Sequence, residues 1–172
     1  MITLRELTID DIHDEQGYVE WLNDPEVTRY LECRHQKHTL ETTRSYVAEM
    51  HKSKDNYLFG IFLDGKHIGN MKLGNINHMY KRAEIGSLIS KEYWGRGIGT
   101  EAHRLTEEFA FKNLGLHKVY AGVYAKNPAA LKAVLRIGWR LVGEYEDHAI
   151  VDGEYVGCFM IEKINPSYTK EK

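Results

Sequence analysis

One stretch in the middle of the chain, Ile89-Ser-Lys-Glu-Tyr-Trp-Gly-Arg-Gly-Ile-Gly-Thr-Glu-Ala102, limits the fold more than any other. A strand-like run ends, glycines alternate at 95, 97 and 99, and a helical apolar period begins. Ile98, Ala102, Leu105 and Phe109 recur at the spacing of one helix face, and Gly115 is placed to end that helix. The N–H groups of a helix's first turn have no backbone partners, and the helix dipole adds positive potential there. Glycines without a Cβ let an anion reach those groups. The segment reads either as a phosphate or pyrophosphate cradle or as a turn that needs glycine only for positive φ.

Two anion-binding patterns fit poorly. A P-loop needs Lys-Ser/Thr after its last glycine, and Thr100-Glu101 stands there instead. Gly97-Ile-Gly-Thr-Glu-Ala102 matches the dinucleotide fingerprint G-x-G-x-x-A, but the next strand ends Gly122-Val-Tyr-Ala-Lys126 with no carboxylate. About 70 of the 172 residues follow it, too few for a full doubly wound domain.

The surrounding chain alternates between periods. Residues 2–7 read as a short strand, and Asp10 is expected to cap a helix carrying Ile12, Val19, Trp21 and Leu22, stopped at Asn23-Asp24-Pro25. A second helix is predicted from about Leu40 to Lys52, with Leu40, Tyr46 or Val47, and Met50 inward. Strands follow at 57–63, about 67–73 and 82–89, the first two joined by Asp64-Gly65-Lys66. Beyond the long helix come a strand at 118–125 and a helix opened by Asn127-Pro128 and ended by Gly138. That helix should bury Leu131, Val134 and Leu135. Two closing strands, about 139–146 and 155–164, flank Asp152-Gly153. The order β-α-α-β-β-β-α-β-α-β-β predicts an α/β (α+β) domain with a mixed sheet and helices on both faces.

Length and charge narrow the class. A chain of 172 residues is expected to form one domain over 1–165, with a loose tail at 166–172. A formal net charge of −2 argues against a nucleic-acid binder, and no run reaches the ~18–20 apolar residues of a membrane span. Two isolated cysteines and no secretory-type start predict a reduced, cytoplasmic protein.

With this order of elements, Trp94-Gly-Arg-Gly97-Ile-Gly99 resembles the Gln/Arg-x-x-Gly-x-Gly/Ala turn of the GNAT superfamily of acetyl-CoA-dependent N-acetyltransferases, in particular its RimJ/RimL-like branch. The string YWGRGIGTEA, Asn127-Pro-Ala-Ala followed by Gly138-Trp139, and Asp152-Gly-Glu-Tyr155 carry the same likeness over nearly the whole chain. Trp94 departs from the usual Gln or Arg. The resemblance implies a mostly antiparallel sheet with a splayed central strand pair that holds acetyl-CoA. Backbone groups of Ser87, Leu88 and Ile89 would pair with the pantetheine arm, and Gly95, Arg96, Gly97, Ile98, Gly99 and Thr100 would hold the pyrophosphate. Asn127 would contact the cofactor, cap its helix, or do both. Arg96, Lys126, Lys132 and Arg136 could meet the 3′-phosphate or form a solvated face. No metal is implied.

Direct acetyl transfer needs a base for the acceptor amine and an acid for the departing thiolate. Glu84 is the candidate base, or a strand carboxylate paired with Arg82 or Lys81. Many relatives place the acid, a tyrosine, where this chain has Val134. Tyr124, Tyr145 and Tyr155 are the alternatives, with solvent a fourth. Cys158 suggests a covalent route, or only a buried strand thiol. His35 and His38 lack the further ligands a metal pair needs. The acceptor is expected on the side of the N-terminal helices, where Trp21 and Tyr30 either stack on it or pack as core. Asp24, Glu26 and Glu32 would suit a cationic amine. Nucleotide-linked amino sugars and protein N-terminal amines are the acceptors considered, a homodimer is one assembly considered with the oligomeric state left open, and a catalytically weak acyl-CoA-binding sensor is the alternative function.

Overall fold

The computed structural model describes residues 1–13 and 17–168. Seven strands form one sheet in the order β1-β2-β3-β4-β5-β7-β6. They are β1 (Ile2–Glu6), β2 (Tyr57–Leu63), β3 (Lys66–Asn77), β4 (Arg82–Ile89), β5 (Lys118–Tyr124), β6 (Arg140–Val151) and β7 (Glu154–Ile164). The helices are α1 (Tyr18–Asn23), α2 (Pro25–Thr28), α3 (Leu40–Lys52), α4 (Ile98–Glu108, continued by a π turn over Phe109–Asn113) and α5 (Pro128–Leu135).

β1 to β4 form an antiparallel meander. Its β2–β3 hairpin turns on Asp64 and Gly65, both at positive φ (48° and 85°), which matches the twist of the paired strands. Five consecutive residues of β2, Leu58 to Phe62, are buried because helices cover both faces of the sheet. On one face α4 and α5 close a core that includes Ile61, Met71, Leu73, Ile85, Val119 and Ile161. On the other, α1 and α3 close a second core around Leu7, Val19, Trp21, Val47, Phe62 and Leu88.

Several sequence expectations are corrected. Asp10 caps no helix. Thr8 starts a single 3-10 turn over Ile9–Asp11, because the Asp11 carboxylate takes both the Thr8 N–H (2.8 Å) and its hydroxyl (2.9 Å). α1 begins only at Tyr18, and part of the expected first helix, residues 14–16, lies outside the described residues. It stops at Asn23 as predicted, and Asp24 caps the separate α2 through the Glu26 N–H at 2.9 Å. β3 runs to Asn77 rather than 73, and β6 to Val151 rather than 146. The inward face of α4 is Ile98, Ala102, Thr106 and Ala110, with Leu105 only half-buried. In α5, Val134 is buried, but Leu135, about 100° further round the helix, faces solvent. At the C-terminus, Asn165 donates to the Leu116 carbonyl (3.1 Å) and the Tyr168 ring packs on His117 at 4.2 Å. The rest of the expected loose tail, 169–172, lies outside the described residues.

The feature that makes a site is the one parallel pair. β4 and β5 share only three rungs, Arg82↔Lys118, Ala83↔Val119 and Glu84↔Tyr120. Past Glu84, β4 stays on β3 as far as Ile89↔Gly69, and β5 stays on β7 as far as Tyr124↔Cys158. The two strands part, each still held by its outer neighbour.

Candidate active site

Register decides which backbone groups face the gap. Ser90 N–H bonds to the Ile68 carbonyl at 3.0 Å. Antiparallel rungs alternate, so Leu88 and Gly86 turn their backbone groups to β3, while Ser87 and Ile89 turn theirs toward β5. Ala125 N–H bonds to the Gly157 carbonyl at 2.9 Å, so Gly122 and Tyr124 face β4 by the same rule. Of the three residues expected to offer backbone groups to a pantetheine arm, Ser87 and Ile89 turn theirs into the gap. Leu88 is corrected, since its backbone serves β3 and its side chain is buried in the α1/α3 core.

β4 ends in a 3-10 turn over Lys91–Tyr93, followed by Gly95 at φ 74° and Gly97 at φ 76°. A Cβ built on either glycine meets no atom within 4 Å, so the turn presents an open backbone surface. The first ladder bond of α4 is Glu101 N–H to the Gly97 carbonyl at 3.1 Å, which leaves the N–H groups of Ile98, Gly99 and Thr100 ahead of the ladder. A Cβ at Gly99 would meet the end of the Ile89 side chain at 3.3 Å, a close contact that this side chain must shift a few tenths of an ångström to accept. The Arg96 guanidinium and the Lys66 ammonium sit 5.3 and 5.6 Å from the Tyr93 ring centre, so two cations flank the turn. Glu101, an anion in the same first turn, is taken up by Arg104 at 2.7 and 2.9 Å. Trp94 donates its indole N–H to the Ile89 carbonyl at 2.8 Å, binding the turn to the end of β4. These are the features of a phosphate-binding helix start.

Asn127 sits just past β5. Its N–H bonds to the Tyr124 carbonyl (2.8 Å) and its Oδ1 accepts from Ala130 N–H (3.3 Å), so it caps α5. Lys126 pairs with Glu154, while Lys132 and Arg136 project from the exposed side of α5.

Glu84 stands on the last shared rung of β4 and β5. Asn75 Nδ2 donates to its Oε2 at 2.8 Å; neither Arg82 nor Lys81 is its hydrogen-bond partner in the structure. By the strand period its side chain points to the α1/α3 side, with Gly86 and Leu88. The Cys158 thiol is pushed up by burial and by the Glu84 carboxylate. A buried thiol held protonated is a poor nucleophile.

On that same side a cavity of about 840 Å³ lies between α1, α3, the Glu32–His35 turn and the sheet, with Gly86, Ser87 and Leu88 in its wall. Glu32, Glu41 and Glu49 also line it, with Lys37 and Lys72 as the cations. Tyr124 donates its hydroxyl to Glu32, so the mouth of the gap and the cavity share a polar link. Arg34 holds the Glu32 segment in place through the carbonyls of Leu31 (2.7 Å) and Ile150 (3.1 Å).

The remaining candidates are dispersed. Trp21 is a core residue, 9% exposed and 5.2 Å from the His67 ring, and does not line the cavity. Tyr30 lies under the Arg29 guanidinium at 5.5 Å, also away from it. Both are corrected as acceptor contacts: α1 buries its aromatic face, and α2 carries Tyr30 past the opening. His38 is tied to the Cys33 carbonyl at 2.9 Å, which occupies one ring nitrogen. Val134 is buried in the α4/α5 core. Tyr145 stacks on His148 at 5.0 Å on the exposed edge, and Tyr155 is exposed at the β6–β7 turn. Sequence reasoning missed Thr43, Asn70 and Lys72 in the cavity wall. Asn70 in a strand otherwise apolar at its centre was the available signal.

Residues 1–140 match the family model of the acetyltransferase (GNAT) domain. Spermidine N(1)-acetyltransferase of Escherichia coli (strain K12) is 30% identical over 155 residues, covering 90% of this chain and 81% of that protein. The probable N-acetyltransferase YjcK of Bacillus subtilis (strain 168) is 30% identical over 135 residues, 75% of each. Among solved structures, spermidine N-acetyltransferase from Vibrio cholerae in complex with CoA and spermine superposes with a TM-score of 0.85 at 20% identity, covering 95% of both chains. Mycobacterium smegmatis RimJ in complex with CoA-disulfide gives 0.82 at 20% identity, over 95% of this chain and 81% of that one. At that identity the two structures speak to the fold.

Proposed function

The chain belongs to the GNAT family and is an acetyl-CoA-dependent N-acetyltransferase, and we propose that its acceptor is a small-molecule primary amine held in the cavity under α1 and α3. The observation that carries this is the cavity's position. Its wall includes Gly86 and Ser87, the residues of β4 that also border the parted strands, so an amine bound there reaches the gap from the face opposite α4.

Acetyl-CoA, when bound, supplies an acetyl group already activated as a thioester. The chain's own parts have separate tasks. The open turn at Gly95 and Gly97, with the N–H groups of Ile98, Gly99 and Thr100, binds the pyrophosphate, and Arg96 adds positive charge. Ser87 and Ile89 offer strand-like backbone pairing to the pantetheine amides, the Ile89 carbonyl being shared with Trp94. Asn127 orders the start of α5 beside the gap. Glu84, oriented by Asn75, accepts the proton of the acceptor ammonium through water; Tyr124, at the end of β5 and kept protonated by burial and by its bond to Glu32, is the proton source at the mouth. Glu32, Glu41 and Glu49 draw a cationic amine into the cavity, in keeping with the spermidine substrate named for the Escherichia coli relative.

Thiol release with acetyl-CoA and an amine panel tests this reading. The panel holds polyamines, amino alcohols, amino sugars free and nucleotide-linked, and peptide N-termini. Turnover is expected with small amines and not with peptides. Acetyl-CoA binding with no thiol release across the panel would instead support a sensor, the reading that Val134 in place of a tyrosine favours.

A further inference from the structure

Two polar side chains in the cavity wall are buried and incompletely satisfied. Asn70, in the middle of β3 and 3% exposed, has no hydrogen-bond partner for its Nδ2. Thr43, on the inward face of α3 and 1% exposed, has none for its Oγ1. Both line the cavity. An unpaired buried polar group is costly, and native folds keep few of them without a use.

The orientation of Asn70 is imposed from behind. Its Oδ1 is bonded to His67 Nε2 at 2.9 Å. His67 is wedged among the rings of Tyr18, Trp21 and Phe62, at 6.4, 5.2 and 5.1 Å, and burial pushes its pKa down, so the imidazole is neutral. In the tautomer with its proton on Nε2, the ring donates to the amide oxygen, and the NH2 is left as a donor without a taker. Lys72, two residues along the same face of β3, adds a cation to the same wall, its ammonium 5.9 Å from the Tyr46 ring centre. The strand side of the cavity is therefore donor-rich, while Glu32, Glu41 and Glu49 on the helix side are acceptors.

A plain diamine or polyamine cation carries only donors. Against Asn70 and Lys72 it leaves the amide unpaired and sets like charges together. The geometry points to an acceptor amine that also carries an oxygen, hydroxyl or carboxylate, which takes the Asn70 amide hydrogens and the Lys72 charge, with the Thr43 hydroxyl as a second contact. Asn70 and Lys72 pair with Leu88 and Gly86, one strand away from the gap. A strand spacing of ~4.8 Å puts that oxygen about three carbons from the reacting nitrogen. Asn70 is thus a specificity-determining residue and His67 a positioning residue. The inference rests on the small-amine reading and narrows its substrate class.

The test compares kcat/KM for aminopropanol, β-alanine and diaminopropane, which share a three-carbon spacing, in the full-length enzyme. One oxygen-bearing acceptor is expected to exceed diaminopropane by roughly 5- to 100-fold, the equivalent of one rescued buried hydrogen bond. Which of the two wins distinguishes a hydroxyl from a carboxylate. In Asn70→Leu the ratio should fall to near one, and Thr43→Val should lower it in the same direction, giving a second reading if the first variant folds poorly. His67→Phe should reduce the ratio without changing acetyl-CoA affinity. Diaminopropane preferred by the wild type, or a ratio that none of the three substitutions moves, overturns the inference while leaving the small-amine reading standing. No turnover of any small amine by a protein that binds acetyl-CoA overturns both.

Discussion

Glu84 lies where hydrogen bonding between β4 and β5 ends, and its chemistry depends on that position. One carboxylate oxygen is occupied by Asn75 at 2.8 Å, which fixes the group and leaves the other oxygen for a proton. Glu84→Gln keeps the bond from Asn75 but cannot accept a proton. It is expected to lower kcat by ~10²–10⁴-fold with the acetyl-CoA Kd unchanged, read by thiol release and calorimetry. A loss of less than about tenfold would remove Glu84 from the proton path. Residues whose role is set by their own neighbours along the chain were legible in the sequence. Gly95 and Gly97 do adopt positive φ, and Asn127 does cap its helix. Thr43, Asn70 and Lys72 were not, because they come from α3 and β3 and meet only when the helix lies across the sheet. Trp94 was legible as a departure, but its bond to the Ile89 carbonyl needed the turn's geometry.

At the scale of elements, the first turn of α4 can serve as a fixed binding surface only if the helix is pinned. The pin is a buried cluster: Glu107 of α4 accepts from the Trp139 indole N–H (2.5 Å) and from Lys163 of β7 (2.5 Å), and Lys163 also reaches the Ile137 carbonyl (2.5 Å). Removing the cation strands a carboxylate that is nine-tenths buried. Lys163→Met is expected to destabilise the fold by about 3 kcal/mol, read from urea unfolding; a change below about 1 kcal/mol would mean that Trp139 alone satisfies Glu107. The same cluster explains why the helix face read from apolar spacing was slightly rotated. Glu107 and His103 are buried although polar, so the period was masked on one side, and Thr106 takes the inward position by bonding its hydroxyl to the Ala102 carbonyl at 2.8 Å. α3 matched its predicted bounds of Leu40–Lys52, since its Thr39 cap and its last turn are set locally, although Thr43 is also a polar residue on its inward face. Asp10 failed as a cap because a threonine two residues earlier makes the competing box with Asp11, a choice between adjacent polar residues that spacing does not rank.

For the whole molecule, the buried histidines set where acid begins to matter. Burial pushes His103 down to about 4; the residue is 8% exposed and its ring edge-on to Trp139 at 5.8 Å, with its Nδ1 unpartnered. Burial pushes His67 down as well, partly offset by its bond to Asn70. Between the ordinary value near 6.5 and the depressed one, the unfolded chain holds a proton that the folded chain refuses. Stability therefore falls as pH drops through that window and levels off below it. For His103 the full effect is about 3 kcal/mol, accumulating at about 1.4 kcal/mol per pH unit. Carboxylates add a second, lower limb: Asp11 is held well down by Arg5, and Glu162, against the effect of its own burial, is held below its ordinary range by Lys118 and Arg140, so their contribution is lost only as pH falls below about 4. The acid decline of this protein is thus expected to start near pH 6.5 rather than 4. His103→Phe keeps a ring against Trp139 and cannot take up a proton. The difference in unfolding free energy between pH 7 and pH 5 should shrink by about 2 kcal/mol in that variant. An undiminished difference would assign the upper limb to His67, whose charged ring still donates to Asn70 through Nε2.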